Sequence, residues 1–341
     1  MTESPLLSVR DLAVEFRTRA GVTRPLDGIS FDVGRGEVVG LVGETGCGKT
    51  LTGLSILGLL PKGAVVARGE IVFEGQDLAH VPERALRGIR GRRIAMVFQN
   101  PATALNPVFT IGTQIGQVVR THLGLSRGDA HDHVRETLVA VGLPETDRVM
   151  GSYPHQLSGG MLQRSMIAMA LACGPDLLIA DEPTTALDVT IGAQVLRLLR
   201  DLQESRGFSV VFVTHDLGVV RTVTDRVVVL YAGRVAEQAR TADLLTSPRH
   251  PYTEGLIGAV PRPERRGRQL TMIPGTVPSD PASVPGCVFA DRCPIAIDRC
   301  RMERPDLRPL GVDRVAACHL ATADSVSSGG TAATNSEGAF L

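Results

Sequence analysis

The chain is 341 residues long and 43% apolar, and its 36 basic and 36 acidic side chains cancel to a formal net charge of +0. That length accommodates one large domain with an appendage, or two domains, around a real core. Neutrality removes the electrostatic footprint of a nucleic-acid binder, and no charged leader with an apolar run opens the chain, so it reads as soluble and cytoplasmic, where thiols stay reduced.

In chain order, LSVRDLAVEFRT (7–18) and SFDV (30–33) read as strands, and VVGLVG (38–43) as a buried one. LTGLSILGLL (51–60) is the longest apolar run, about half a bilayer span. RGEIVFEG (68–75) adds a strand and ERALRGIR (83–90) a short helix. From about 100 to 160, Pro-punctuated helices suggest an inserted helical subdomain. Strand and helix then alternate: LLIA (177–180), a helix over 189–206, SVVFVT (209–214), a short helix, and RVVVLY (226–231). Buried strands alternating with helices predict a mainly parallel sheet. After about 245, Pro, Arg and Cys become dense, which marks a separate appendage to about 320, and the small-residue stretch 321–341 is expected to be disordered.

Directly after the strand VVGLV, residues Gly43, Glu44, Thr45, Gly46, Cys47, Gly48, Lys49 and Thr50 satisfy G-x-x-x-x-G-K-[ST]. Glycines let backbone N–H groups curl around phosphate oxygens, and the following helix directs its positive end at the same anion. Lys49 and Lys62 are the only lysines of the chain. A compact ammonium fits between β- and γ-phosphates where a planar guanidinium does not, and the Thr50 hydroxyl suits Mg²⁺. Cys47 contributes its backbone, and its thiol is an expected alkylation site.

In DLLIADEP (176–183) an apolar strand ends in Asp181, at the edge where a nucleotide's Mg²⁺ sits, and Glu182 follows as a candidate general base. A strand ending in two acids is ordinarily a solvated strand end; the phosphate loop gives this one its meaning. In LSGGMLQR (157–164), Ser158, Gly159 and Gly160 open a helix and form a second anion site. Two phosphate-binding helix starts in one chain suit two chains closing head to tail, each completing the other's site.

The order GETGCGKT, FQNP with Gln99, LSGGMLQR with Gln163, LLIADEP, TALD with Asp188 and VFVTHD with His215 resembles the nucleotide-binding subunits of ATP-binding cassette transporters over residues 7–240. That resemblance implies an α/β P-loop NTPase fold over 1–245, with an N-terminal antiparallel β part, the inserted helical subdomain and a small cysteine-containing C-terminal region over 246–320. It implies that Glu182, His215 and Gln99 act in ATP hydrolysis and that Thr50, Gln99 and Asp181 hold Mg²⁺. Ser158, Gly159, Gly160 and Gln163 would close on the partner's nucleotide, Asp188 would lie at the dimer interface, and Phe16 would stack on adenine. Finer resemblance, in NPATALNPVFTIGTQI (100–115), YPHQLSGGMLQR (153–164) and SPRHPYTEGLIGAVP (247–261), is to the dipeptide and oligopeptide importer ATPases, a group that includes nickel-type importers. Gln156 and Leu162 depart from it, where an acidic and a basic residue are common. The implied partners are two membrane permease subunits, a second cassette that is either distinct or identical, and indirectly an external solute-binding protein, with the chain peripheral on the cytoplasmic face. The other class considered is a soluble cassette ATPase acting on nucleic acid or ribosomes. Such proteins usually carry two cassettes or a coiled-coil insertion longer than the interval from Gln99 to Ser158.

Cys287, Cys293, Cys300 and Cys318 stand apart from the cysteine-poor remainder, and their spacing is not the C-x2-C of a zinc ribbon. Four thiolates suit tetrahedral Zn²⁺ or a [4Fe–4S] cluster, and the spacing alone leaves both open, with free or disulfide-forming thiols as the third reading. Some peptide-importer ATPases that the chain resembles carry an iron–sulfur cluster in such a segment. Cys173, after MIAMALA, reads as core.

Overall fold

The first strands alternate in character, so that one sheet takes a mixed face and the other takes continuous apolar runs. In this computed structural model, which describes residues 4–18, 21–260, 273–278 and 281–323, β1 (Leu7–Thr18) and β2 (Gly21–Val33) form an antiparallel hairpin. The sequence reading takes only 30–33 of β2 as strand; in the structure pairing with β1 runs from Gly21 to Val33, through Pro25 and Gly28. β3 (Val38–Val42) leaves for a second sheet and leads into helix α1 (Lys49–Ile56). β4 (Ala64–Phe73) and β5 (Gln76–Asp77) return to the first, whose order is β2-β1-β4-β5. Helix α2 (Glu83–Ile89) then leads to β6 (Ile94–Val97).

The helical subdomain follows as α3 (Pro101–Ala104), α4 (Ile111–Leu123), α5 (Arg127–Ala140), α6 (Thr146–Gly151) and α7 (Gly159–Leu171). Thr110 and Ser126 cap α4 and α5 by accepting from Thr113 and Asp129 N–H groups. Ile111, Ile115 and Val119 of α4 lie four apart and pack with Val134, Leu138 and Ile167.

β7 (Leu177–Asp181), α8 (Val189–Arg206), β8 (Ser209–Thr214), α9 (Leu217–Val223), β9 (Arg226–Tyr231) and β10 (Arg234–Arg240) complete the alternation. β3, β7 and β8 are buried along their whole lengths, as parallel strands covered on both faces must be. The chain continues through α10 (Thr241–Thr246), α11 (Pro251–Ala259), α12 (Asp298–Met302), β11 (Arg308–Gly311) and β12 (Arg314–Ala316). The second sheet has the order β11-β12-β10-β9-β3-β8-β7-β6.

The C-terminal region is therefore not the separate appendage that its composition suggests. β12 pairs antiparallel with β10, Glu237 opposite Ala316, and Tyr252 and Phe289 share a core with Val42 and Tyr231. Glu237, 0% exposed, accepts the N–H groups of Arg249 and His250 and the Arg314 guanidinium at 2.9–3.0 Å. A buried carboxylate is tolerable only with that many donors. The tail beyond residue 323 lies outside the described residues.

Candidate functional site

The loop between β3 and α1 closes on itself. Lys49 Nζ donates to the carbonyls of Gly43 at 2.8 Å and Glu44 at 3.0 Å. Gly48 caps α1 at φ 105°, and a Cβ there would meet Leu26 Cδ2 at 2.3 Å, so only glycine fits. Thr45, Gly46, Gly48, Lys49 and Thr50 line a cavity of about 490 Å³ together with Pro25, Gln99, Glu182, Thr185 and His215. The phosphate loop and the acids some 130 residues downstream thus share one space, because β3 and β7 flank β8 in the sheet.

Asp181, at the end of β7, accepts from the Thr50 hydroxyl at 3.0 Å. Burial pushes its pKa up, with the neighbouring Glu182 adding to the rise and Thr50 and Lys49 opposing it. A carboxylate 3% exposed beside a hydroxyl oxygen has the donor chemistry of a Mg²⁺ site, which uses one or two carboxylates and leaves other positions to phosphate and water. The residues fit the ion.

Glu182 turns out of the strand at φ 46°, a conformation costly for a residue with a Cβ, and its N–H is held by the Val213 carbonyl at 2.9 Å. That turn aims its carboxylate into the cavity, where His215 Nδ1 lies at 2.8 Å, Gln99 Nε2 at 2.9 Å and Thr185 Oγ1 at 2.9 Å. Burial pushes its pKa up, but hydrogen bonds from His215 and Thr185 outweigh burial and hold it below the usual carboxylate range. The result is an ionised acceptor facing the phosphate loop. Thr185 was not among the sequence-predicted site residues; nothing in TALD or DEP distinguishes its hydroxyl from a turn residue.

Ser158 caps α7, accepting from Met161 N–H, and Asp188 caps α8, accepting from Ile191 N–H at 2.9 Å. Neither lines the cavity of its own chain, nor do Gly159 and Gly160. The two helix starts are packed together: a Cβ on Gly160 would meet Ile191 Cγ2 at 2.8 Å.

Three sequence expectations, on Gln163, Cys47 and Cys173, need correction. Gln163 is 1% exposed in the core side of α7, so it does not share the surface of Ser158 and Gly159. Cys47 is 1% exposed, and burial pushes its thiol pKa up despite Lys49, which closes it to alkylation. Cys173 is half-buried rather than core. Phe16 is half-buried in the hairpin, opposite Thr23 and Ala64, and does not line the cavity.

All six cysteines are free thiols. Among the described residues no three His, Cys, Asp or Glu side chains form a group able to hold a single metal ion. Thiolates on one Zn²⁺ at about 2.3 Å sit only about 3.8 Å apart, so the four C-terminal thiols are not gathered for zinc. They are nonetheless neighbours: burial pushes Cys287 up to about 11, and Cys300, Cys293 and Cys318 each add to the rise. Cys293 is raised by burial and then by Cys318 and Cys300.

Comparison with known proteins agrees with this geometry. The ABC transporter family matches residues 26–185, and the oligopeptide/dipeptide transporter C-terminal region matches residues 236–300. A probable peptide ABC transporter ATP-binding protein of Sinorhizobium fredii is 52% identical over 92% of this chain and 94% of its own. The dipeptide transport ATP-binding protein DppD of Bacillus subtilis is 50% identical over 85% of this chain and 87% of its own. Among solved structures, the ATP-binding cassette MJ0796, dimeric and bound to ADP and Pi, superposes with a TM-score of 0.63 at 28% identity, covering 69% of this chain and 98% of that one. The chain belongs to the ATP-binding proteins of the ABC transporters, in the group that carries the oligopeptide/dipeptide transporter C-terminal region.

Proposed function

We propose that the chain is the ATPase subunit of a peptide importer, working as one of two cassettes on the cytoplasmic face of a membrane permease. The observation that carries the hydrolytic part is Glu182, ionised and held by three donors at the mouth of the phosphate loop. Loop amides and Lys49 bind the β- and γ-phosphates, while Thr50 and Asp181, with Gln99 opposite, are the residues that would hold Mg²⁺. When bound, that ion neutralises charge on the phosphates. Water attacks the γ-phosphorus, the bond to the β–γ bridging oxygen breaks, and Glu182 receives the proton, releasing ADP and phosphate. His215 and Gln99 keep the carboxylate aimed, and His215 faces the γ-phosphate. Phe16 is the proposed adenine contact.

Ser158, Gly159 and Gly160 lie away from their own chain's cavity, which supports their use on the nucleotide of a second cassette, with Asp188 beside them. That second cassette is a related or identical chain. A groove of about 1040 Å³ on the helical subdomain, lined by Thr113, Gln117 and Arg120 of α4 and Arg127 and His131 of α5, supports docking of a permease there. Among the described residues no helix is long and apolar enough to cross a membrane. The peptide substrate rests on the C-terminal match and on what the relatives are named for. Cys287, Cys293, Cys300 and Cys318 are proposed to hold a [4Fe–4S] cluster, which when bound would brace a loop-rich region.

The test is purification of the full chain from detergent-extracted membranes. Permease subunits should accompany it, and a peptide-loaded external binding protein should stimulate ATP hydrolysis. Purification free of membrane proteins, with hydrolysis stimulated by DNA or ribosomes, would overturn the importer reading.

A further inference from the structure

The side chain that reaches the phosphate loop from farthest away in sequence is Arg292. It is 7% exposed and lies in the C-terminal region, next to Cys293. Its guanidinium grips the Glu44 carboxylate with both terminal nitrogens, at 3.0 Å to Oε2 and 3.1 Å to Oε1. The remaining donors are fixed as well: Nε donates to the Pro274 carbonyl at 2.8 Å, a terminal nitrogen reaches the Ile273 carbonyl at 3.3 Å, and the plane lies over the Tyr231 ring. From the same region, the Tyr252 hydroxyl accepts the Glu44 backbone N–H at 2.9 Å.

Glu44 is the second residue of the phosphate-binding loop, and both of its handles are therefore held by the C-terminal region. Its carbonyl in turn accepts from Lys49. A carboxylate in that loop would repel the phosphates it must embrace unless a cation neutralised it. A bidentate arginine with every donor committed does so while fixing the direction of the side chain.

We infer that Arg292 is a positioning residue for the ATP site: through Glu44 it sets the shape and charge of the phosphate loop, so the C-terminal region is part of the nucleotide-binding machinery. This rests on the assignment of residues 43–50 as the phosphate site, and goes beyond it. A purely architectural Arg292 would pin the C-terminal region and leave nucleotide affinity alone.

The experiment measures Mg²⁺-dependent binding of a fluorescent ATP analogue, together with kcat and KM for ATP, on the full chain and on Arg292→Ala, Arg292→Lys, Glu44→Gln and Arg292→Ala/Glu44→Gln. Thermal melting is recorded on each preparation. Arg292→Ala should weaken binding and raise KM on the order of tenfold, with kcat changed less than about threefold, because the Glu182 cluster is untouched. Arg292→Lys should fall between, since an ammonium neutralises without the fork. Removing the orphaned charge in the double variant should recover much of the loss. Unchanged affinity in Arg292→Ala overturns the proposal. So does a double variant no better than the single one, with kcat, KM and melting all impaired, which would mark a general folding role. Should Glu44→Gln bind and hydrolyse as the native chain does while the double variant stays as weak as Arg292→Ala, the link through Glu44 falls as well. If the native chain itself fails to bind Mg²⁺-ATP, the phosphate-site assignment is what has failed, and the inference goes with it.

Discussion

A carboxylate with three donors around it is a different reagent from the same group in water. At Glu182 the donors are Gln99 after β6, Thr185 in the same turn beyond β7 and His215 after β8; parallel strand order brings Gln99 and His215 within 2.9 Å, and the local turn brings Thr185. Gln99 and His215 were legible from their motifs, whereas Thr185 was not, because a hydroxyl three residues along a turn carries no periodic signal. Thr185→Ala should lower kcat by roughly fivefold with KM unchanged, the worth of one hydrogen bond to a charged group, in a steady-state phosphate-release assay. Gly160 is the second residue-scale case. Gly160→Ala must displace Ile191, at an overpacking cost of about 1–3 kcal/mol that chemical denaturation would measure. Adding Ile191→Ala should relieve most of that cost; no relief would mean that the glycine serves another purpose.

At the scale of elements, α11 depends on a neutral imidazole. His250 caps the helix by accepting the Tyr252 N–H at Nδ1, 3.0 Å away, and burial pushes its pKa down to about 4. The unfolded chain takes up this proton below its ordinary value of 6.5, while the folded chain refuses it until about 4. The stability contribution is thus full above pH 6.5 and is lost as pH falls toward 4. Between pH 7 and 5 the native chain should lose about 2 kcal/mol more in urea unfolding than His250→Asn, which keeps an N-cap acceptor without the titration. Equal losses would contradict the assignment. The parallel strands and α8 were legible in the sequence because continuous apolar runs and a 3.6-residue period are local signals. β10 and β12 were not, since a short strand such as Arg314–Ala316 has meaning only beside its partner. The full length of β2 was obscured for the same reason.

At the scale of the whole molecule, composition divided the chain where packing does not. Dense Pro, Arg and Cys after about 245 looked like a detachable unit, yet Tyr252, Phe289 and Glu237 knit it to the nucleotide-binding sheet. Single buried aromatics at irregular spacing leave no pattern from which such docking could be read. One consequence is measurable. Cys293→Ser should abolish the roughly four irons per chain expected of anaerobically purified protein. Because Arg292 is its neighbour, the same change should weaken Mg²⁺-ATP binding in the direction of Arg292→Ala. Iron-free native protein that binds ATP normally would reject the cluster. The central claim remains that this chain binds ATP in the β3–α1 loop and hydrolyses it with Glu182. The most direct measurement of it is single-turnover hydrolysis by Glu182→Gln beside the native chain, with nucleotide binding recorded on both. The predicted result is Mg²⁺-ATP affinity within about twofold of native, with hydrolysis slower by at least about a hundredfold and two chains trapped together. Hydrolysis at the native rate by Glu182→Gln would contradict it.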